Sequence, residues 1–457
     1  MNYYSLNKQS PTVDFKQATI AGQAPDKGLY FPDSIPQLDK AFIEHIEQYS
    51  NEEIAFKVIK PYVGNCIPDE ELQRIVAETV NFNIPLVPVS EGISSLELFH
   101  GPTLAFKDIG ARFMSRCLGY FLKGDTSTSQ HTSTSQHTST SQHTSTSLST
   151  KKVTVLVATS GDTGGAVANG FYNVDGVEVV VLYPSKKVSA VQEAQITTLG
   201  KNIHALEVDG TFDDCQQMVK QAFTDVELNE KLFLTSANSI NVARWLPQQF
   251  YYFFAYKQWK LAHKNAPVIC VPSGNFGNIC AGILAHTSGL PVQHFIAACN
   301  ANKVVPDYLL TEKYEPKPSV ATISNAMDVG NPSNFVRILE IFHNEFGSLK
   351  NKLSSYSITD EETKEAIKEV YQQYNYLLDP HGAVGYIALK DYLQNHPTEE
   401  GMILETAHPV KFNPAIIDIL GENILAQKEQ ELLLNGVKQS IFMENSYHSL
   451  KEILLAR

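Results

Sequence analysis

Lys107, in the run His100-Gly-Pro-Thr-Leu-Ala-Phe-Lys107-Asp-Ile-Gly-Ala-Arg-Phe113, is a charge on a face that should be apolar. A helix beginning near Leu104 gathers Asp108, Arg112, Ser115, Arg116 and Lys123 into one polar stripe. Lys107 falls instead with Phe106, Ile109, Phe113, Met114, Cys117, Leu118 and Phe121. Its neighbours on the same face, Gly110, Ala111, Met114 and Leu118, offer an ammonium no partner. The first turn of a helix also disfavours a cation, because unpaired N–H groups make that end positive. Desolvation and dipole both favour the neutral amine, the form that attacks an aldehyde to make a Schiff base. A lysine that snorkels its head to water from a buried stem is the competing reading.

A second chemical signal is the glycine-bearing turn between a strand and a helix, whose free backbone amides suit a phosphate. Two such turns occur, Ser160-Gly-Asp-Thr-Gly-Gly165 and Ser273-Gly-Asn-Phe-Gly277. Neither is GxGxxG or GxxxxGK[ST], so a dinucleotide or a nucleoside triphosphate is poorly supported. The second is better placed, because Gly277, Ala281, Gly282 and Ala285 permit close packing behind it. A buried lysine, a phosphate cup and no nucleotide motif together point to pyridoxal phosphate, which needs an amine, amides and a partner for its ring nitrogen.

The elements that must position these groups alternate. Val153–Ala158, Gly176–Tyr183, His204–Val208 and Pro267–Val271 read as strands. Helices are expected over Ala166–Tyr172, Ser189–Leu199 and after Thr211 and Gly277. That order predicts an α/β architecture of parallel sheets covered on both faces. Residues 1–90 look different, with helices such as Pro36–Tyr49 and Asp69–Val80, and are expected to form a separate N-terminal domain. Residues 91–430 would form the catalytic α/β region in two subdomains, and 431–457 a C-terminal helical segment. Near the end lie a helix over Asp360–Tyr376, a turn Asp379-Pro-His-Gly382 and a strand Met402–Leu404. Within 124–150 the hexamer TSTSQH occurs three times in succession and offers almost nothing apolar to bury, which predicts a disordered insertion. The helix that carries Lys107 should end near Leu122, before it.

Bulk properties narrow the field. At 457 residues the chain exceeds a single compact core. A net charge of -13, with no long basic run, argues against nucleic acid and means that an anionic substrate must be held by local cations. No apolar run approaches the ~20 residues that span a bilayer, and the start lacks a signal pattern, so a cytoplasmic protein away from membranes is expected. The six cysteines form no CxxC pair, and neither a disulfide framework nor a metal site is indicated.

Eight ordered motifs resemble the threonine synthase family: MNYYSLNKQSP, APDKGLYFPD, HGPTLAFKD, ATSGDTGGA, ANSINVAR, PSGNFGN, LDPHGAVG and ETAHPVKF. The resemblance spans nearly the whole chain outside the hexamer repeats. It implies the fold-type-II architecture of pyridoxal-phosphate enzymes: two α/β domains with mostly parallel, open twisted sheets, plus an N-terminal threonine-synthase-type domain. Lys107 would then bind the cofactor aldehyde and act as general base. Gly274, Asn275, Phe276, Gly277 and Asn278 would wrap the cofactor phosphate, Thr406 would face the pyridine nitrogen, and Asp162 would lie beside the cofactor O3′. Ser160 and Thr163 match the turn that holds the substrate carboxylate. Asn238, Ser239, Asn241 and Arg244 match a region implicated in binding the substrate phosphate, with Lys187 or Arg112 as other cations for that task. His381 and His408 fall in these motifs without an assigned role.

The implied reaction converts O-phospho-L-homoserine and water to L-threonine and phosphate, by a monomer or homodimer. Its rivals are a phospholyase that releases 2-oxobutyrate, a serine or threonine dehydratase, and a binding protein that keeps the fold without the chemistry.

Overall fold

The computed structural model describes residues 1–128, 152–424, 434 and 436–457, and for 124–128 the backbone alone. Most of the expected insertion, and part of the expected closing helices, lie outside the described residues.

The N-terminal strands β1 (Asn2–Ser5), β2 (Val13–Asp14) and β3 (Tyr30–Pro32) form an antiparallel sheet in the order β2-β1-β3. Asp14 caps the helix Phe15–Ala21 through a reciprocal capping box with Gln17. Phe15 on that helix meets Phe113 and Phe121 with ring centroids 6.5 and 6.2 Å apart, so the N-terminal unit packs directly on the helix that carries Lys107. The expected helix Pro36–Tyr49 is shorter, covering Lys40–Glu44 with a 3₁₀ turn at Ile46–Gln48. Asp39 sets its start by accepting the Phe42 N–H, which leaves Pro36 outside.

Two larger sheets follow. Strands β4 (Leu86–Ser90) and β5 (Ile93–Glu97) precede the Lys107 helix, and β6 (Val153–Ala158), β7 (Val177–Pro184), β8 (Ile203–Asp209) and β9 (Phe233–Ser236) come after it. Next are β10 (Val268–Pro272), β11 (His294–Cys299), β12 (Leu353–Ser357), β13 (Gly401–Glu405) and β14 (Ser440–Glu444). One sheet runs β12-β11-β10-β13-β5-β4 and the other β14-β8-β7-β6-β9. Every pair in them is parallel except β4 with β5. The architecture is α/β with mostly parallel sheets.

Strand alternation divides the core. Val153, Val155 and Val157 of β6 and Ile269 and Val271 of β10 point into one shared cluster between the sheets. Leu156 and Ala158 point to the outer cluster of the sheet that contains β6, Val268 and Cys270 to that of the sheet that contains β10. Both faces are thus covered, which is why β6, β10 and β13 are buried throughout.

Residues 431–457 depart from the expected helical segment. Ser440–Glu444 add a parallel strand to the edge of β8, in register from Ser440 with Ala205 to Glu444 with Asp209, and Tyr447–Leu455 form a helix after it. The edge of β8 offers unpaired N–H and C=O groups that a strand satisfies and a helix does not. The motif Asp379-Pro-His-Gly382 is a helix start: Asp379 caps Pro380–Gln394, with proline at the first helical position. The helix Lys107–Thr128 outruns its expected end at Leu122. No helix among the described residues is long and apolar enough to cross a membrane.

Candidate active site

The chain ends of β6, β9, β10 and β13 converge on one cavity, at the carboxyl edges where open parallel sheets bind ligands. It is lined by Lys107, Ser160, Asp162, Thr163, Asn238, Ser239, Arg244, Gly274, Asn275, Phe276, Gly277, Asn278 and Thr406. Among the residues singled out from sequence, Asn241, Lys187, Arg112 and His408 are not in the lining.

Lys107 is the first residue of its helix. The loop before it is pinned to the segment after β13: Phe106 N–H donates to Thr406 O at 2.9 Å, and His408 N–H to Leu104 O at 3.0 Å. Within the loop, the buried Asp108 carboxylate accepts the Thr103 N–H at 2.9 Å and the Thr103 hydroxyl. Burial pushes the Lys107 amine down to about 8, Lys411 and Arg244 push the same way, and Asp162 opposes them. The structure places this lysine in a cavity, not at a snorkelling surface.

Arg244 is 4% exposed and packs against the next turn of the Lys107 helix. A Cβ on Gly110 would lie 2.6 Å from Arg244 O and 3.1 Å from its Nε, so the approach requires glycine there. Arg244 Nη1 donates to Ala237 O, while its Nε has no acceptor among the described residues. Burial lowers its guanidinium to about 10. Arg112 is committed elsewhere, to Glu78 O and Asn81 Oδ1. Asn241 is structural: its Oδ1 accepts from Ala243 N–H and its Nδ2 donates to Thr19 O, tying this segment to the N-terminal helix.

The two glycine turns have different chemistry. In the first, Thr159 Oγ1 accepts the amides of Gly161 and Gly164, and the Asp162 carboxylate enters the lining. Burial alone would raise the Asp162 carboxyl; Lys411 and Lys107 outweigh it and hold it well below the ordinary carboxylate range. An anionic turn repels a phosphate. In the second, Phe276 takes a left-handed conformation with φ 60° and the helix Gly277–Thr287 begins, with no acidic residue in its first turn to occupy the free amides of its N-terminus. Asn278 Oδ1 is held by Tyr251 and Tyr252 at 2.8 and 2.7 Å, while its Nδ2 has no acceptor among the described residues. A Cβ on Gly274 would come within 2.8 Å of Met327 Cα, so the turn is closed over by the segment that contains Asn325–Met327.

These residues fit pyridoxal phosphate. An orphaned donor on Asn278, a helix start and an amine lowered by burial are what a phosphate-bearing aldehyde requires, and Thr406 offers a hydroxyl rather than a charge to a ring nitrogen.

Three residues in or beside the site were not given roles from sequence. Lys411 is fully buried, 2.7 Å from Asp162 Oδ1. His381 lines the cavity with both nitrogens engaged: Nδ1 bonds Asp379 Oδ1 at 2.6 Å and Nε2 accepts the Ala326 N–H at 3.2 Å. His408 caps the turn Pro409–Phe412 by accepting the Val410 N–H.

Comparison with known proteins gives concordant results. Residues 94–404 match the family model for pyridoxal-phosphate dependent enzymes, and residues 2–80 the model for the threonine synthase N terminus. The chain is 40% identical to a threonine synthase of Serratia marcescens, covering 100% of this chain and 99% of that one. It is 42% identical to that of Escherichia coli, over 94% of this chain and 93% of the other. The crystal structure of threonine synthase from Escherichia coli superposes with a TM-score of 0.88 over the full length of both chains. A pyridoxal-phosphate-bound threonine synthase from Brucella melitensis, 32% identical, gives 0.87 over 99% of this chain and 98% of that one.

Proposed function

The chain belongs to the threonine synthase family of pyridoxal-phosphate-dependent enzymes, and we infer that it converts O-phospho-L-homoserine and water to L-threonine and phosphate. Its cofactor is pyridoxal phosphate. When bound, the cofactor supplies a conjugated ring that takes up the electron pair released as a proton leaves the amino-bearing carbon.

The residue roles are our own reading. Lys107 holds the cofactor aldehyde and, once released, is the base that moves protons at Cα and Cβ; its lowered basicity suits that task near neutral pH. The backbone of Gly274–Asn278 holds the cofactor phosphate, and Thr406 faces the ring nitrogen without protonating it. Asp162 lies toward the cofactor hydroxyl as a carboxylate. Ser160 and Thr163 bind the substrate carboxylate, and Asn238, Ser239 and Arg244 bind the substrate phosphate. The observation that carries this assignment is Arg244, a buried guanidinium that lines the cavity with Lys107 and whose Nε has no acceptor among the described residues.

A small-molecule substrate follows from the family, and the charge of -13 supports a protein that does not bind nucleic acid. We place it in the cytoplasm, as a monomer or homodimer. The deciding experiment incubates the holoenzyme with phosphohomoserine and follows both phosphate release and the amino-acid product. Threonine in step with phosphate is expected; oxobutyrate and ammonia without threonine would overturn the assignment.

A further inference from the structure

Lys411 has no exposed surface, and a buried ammonium is stable only against an acid and acceptors. Its Nζ lies 2.7 Å from Asp162 Oδ1 and donates to Thr103 O at 2.7 Å. These two contacts join three segments: the loop before Lys107, the start of the helix Asp162–Phe171, and the 3₁₀ turn Pro409–Phe412 that follows Thr406. Gln192 Nε2 donates to the same Asp162 oxygen at 3.0 Å.

The charged groups around Lys107 are Asp162, Lys411 and Arg244. Two more titratable groups, Asp328 and His381, line the cavity but are engaged elsewhere. Asp328 accepts from Thr322, Asn300 and Asn302, and His381 bonds Asp379 and Ala326. Asp108, buried beneath, is bonded to Thr103. Asp162 is therefore the carboxylate that governs whether a proton stays on Lys107. An unpaired carboxylate there would hold that proton; one already paired with an ammonium holds it far less.

We propose that Lys411 is a positioning residue for this reaction: by pairing with Asp162 it keeps that carboxylate ionised while cancelling its pull on the proton of the Lys107 nitrogen. The inference rests on the assignment of Lys107 as the cofactor-binding amine. The lowered basicity of Lys107, to which Lys411 contributes, agrees with it.

The absorbance of the bound cofactor, titrated with pH in the holoenzyme, reports the proton on the Lys107 nitrogen. Lys411→Met keeps the length of the side chain and removes its charge, so the midpoint should rise by about one pH unit or more, a tenfold gain in proton affinity. Lys411→Arg, which keeps the charge, should titrate like the wild type. Asp162→Asn should lower the midpoint, and Lys411→Met added to it should move the midpoint much less than in the wild type. If Lys411 is only a brace, Lys411→Met lowers the melting temperature and leaves the midpoint in place, which overturns the proposal. Should Lys411→Met fail to fold, an unmoved midpoint in Asp162→Asn overturns it equally. A wild-type holoenzyme without a cofactor band would refute the role of Lys107 itself; a band indifferent to both substitutions refutes this inference alone.

Discussion

A lysine whose amine is pushed from the ordinary 10.5 down to about 8 destabilises the fold that buries it. Between those values the unfolded chain holds a proton that the folded chain has lost, so stability rises with pH across that window, and below about 8 the penalty is present in full. Lys107→Met removes the penalty. In cofactor-free protein at pH 7 the variant should be more stable by on the order of 2 kcal/mol, a difference that shrinks as pH approaches the ordinary lysine value. Melting temperatures measured across that range test this. Arg244 should behave differently: Arg244→Gln removes a charge-assisted bond worth about 1.5–3 kcal/mol, so KM for phosphohomoserine should rise at least tenfold. Turnover of the phosphate substrate unchanged in that variant would remove Arg244 from phosphate recognition. At this scale the sequence was legible where a charge interrupted an apolar pattern, as at Lys107. Lys411 in Ala-His-Pro-Val-Lys-Phe carries the same signal. It went unread because its partner, Asp162, is far away in sequence, and pairing between distant segments leaves no local pattern. Asn241 shows the converse: it sits within the motif ANSINVAR yet spends its side chain on capping and on Thr19.

The Lys107 helix holds the chemistry in place through what it lacks. Gly110, one turn past Lys107, lets the backbone of Arg244 come close, and alanine there would put a methyl 2.6 Å from Arg244 O. Alanine favours a helix over glycine by about 1 kcal/mol, but overpacking against a fixed backbone costs about 1–3 kcal/mol. Gly110→Ala should therefore lower the melting temperature and, by separating the Lys107 helix from Arg244, reduce kcat/KM together with it. A variant more stable than wild type would show that the helix does not need this approach. Elements with strong local signals were legible, such as the mostly apolar β6 and the helix Phe212–Thr224 with its capping Thr211. Ser-Ile-Phe-Met-Glu at 440–444 was not, because a short apolar run fits helix or strand equally and its partner β8 is distant in sequence.

The molecule as a whole must also tolerate the hexamer repeats, and the described residues at their borders indicate how. Toward its end the Lys107 helix buries Phe121, with Leu122 partly buried. Leu122 Cδ1 lies 3.8 Å from where a Cβ on Gly176 would be, and Val153 N–H donates to Gly176 O at 3.0 Å. Both borders thus meet at Gly176. Deleting residues 126–149 joins Lys123-Gly-Asp125 to Thr150-Lys-Lys152, a linker that spans roughly 20 Å when extended, ample for two ends that touch the same glycine. The removed residues carry almost no apolar side chain and so have little to offer a core, and a shorter connection costs less entropy to close. The deleted enzyme should fold, bind its cofactor with an unchanged spectrum and turn over phosphohomoserine within about twofold of wild type, with a melting temperature equal or slightly higher. Because the Lys107 helix extends to Thr128, the deletion also removes its last residues. A soluble variant with normal cofactor absorbance but lost turnover would show that the repeats take part in the reaction, whereas an insoluble one would show that the end of the helix is needed for folding.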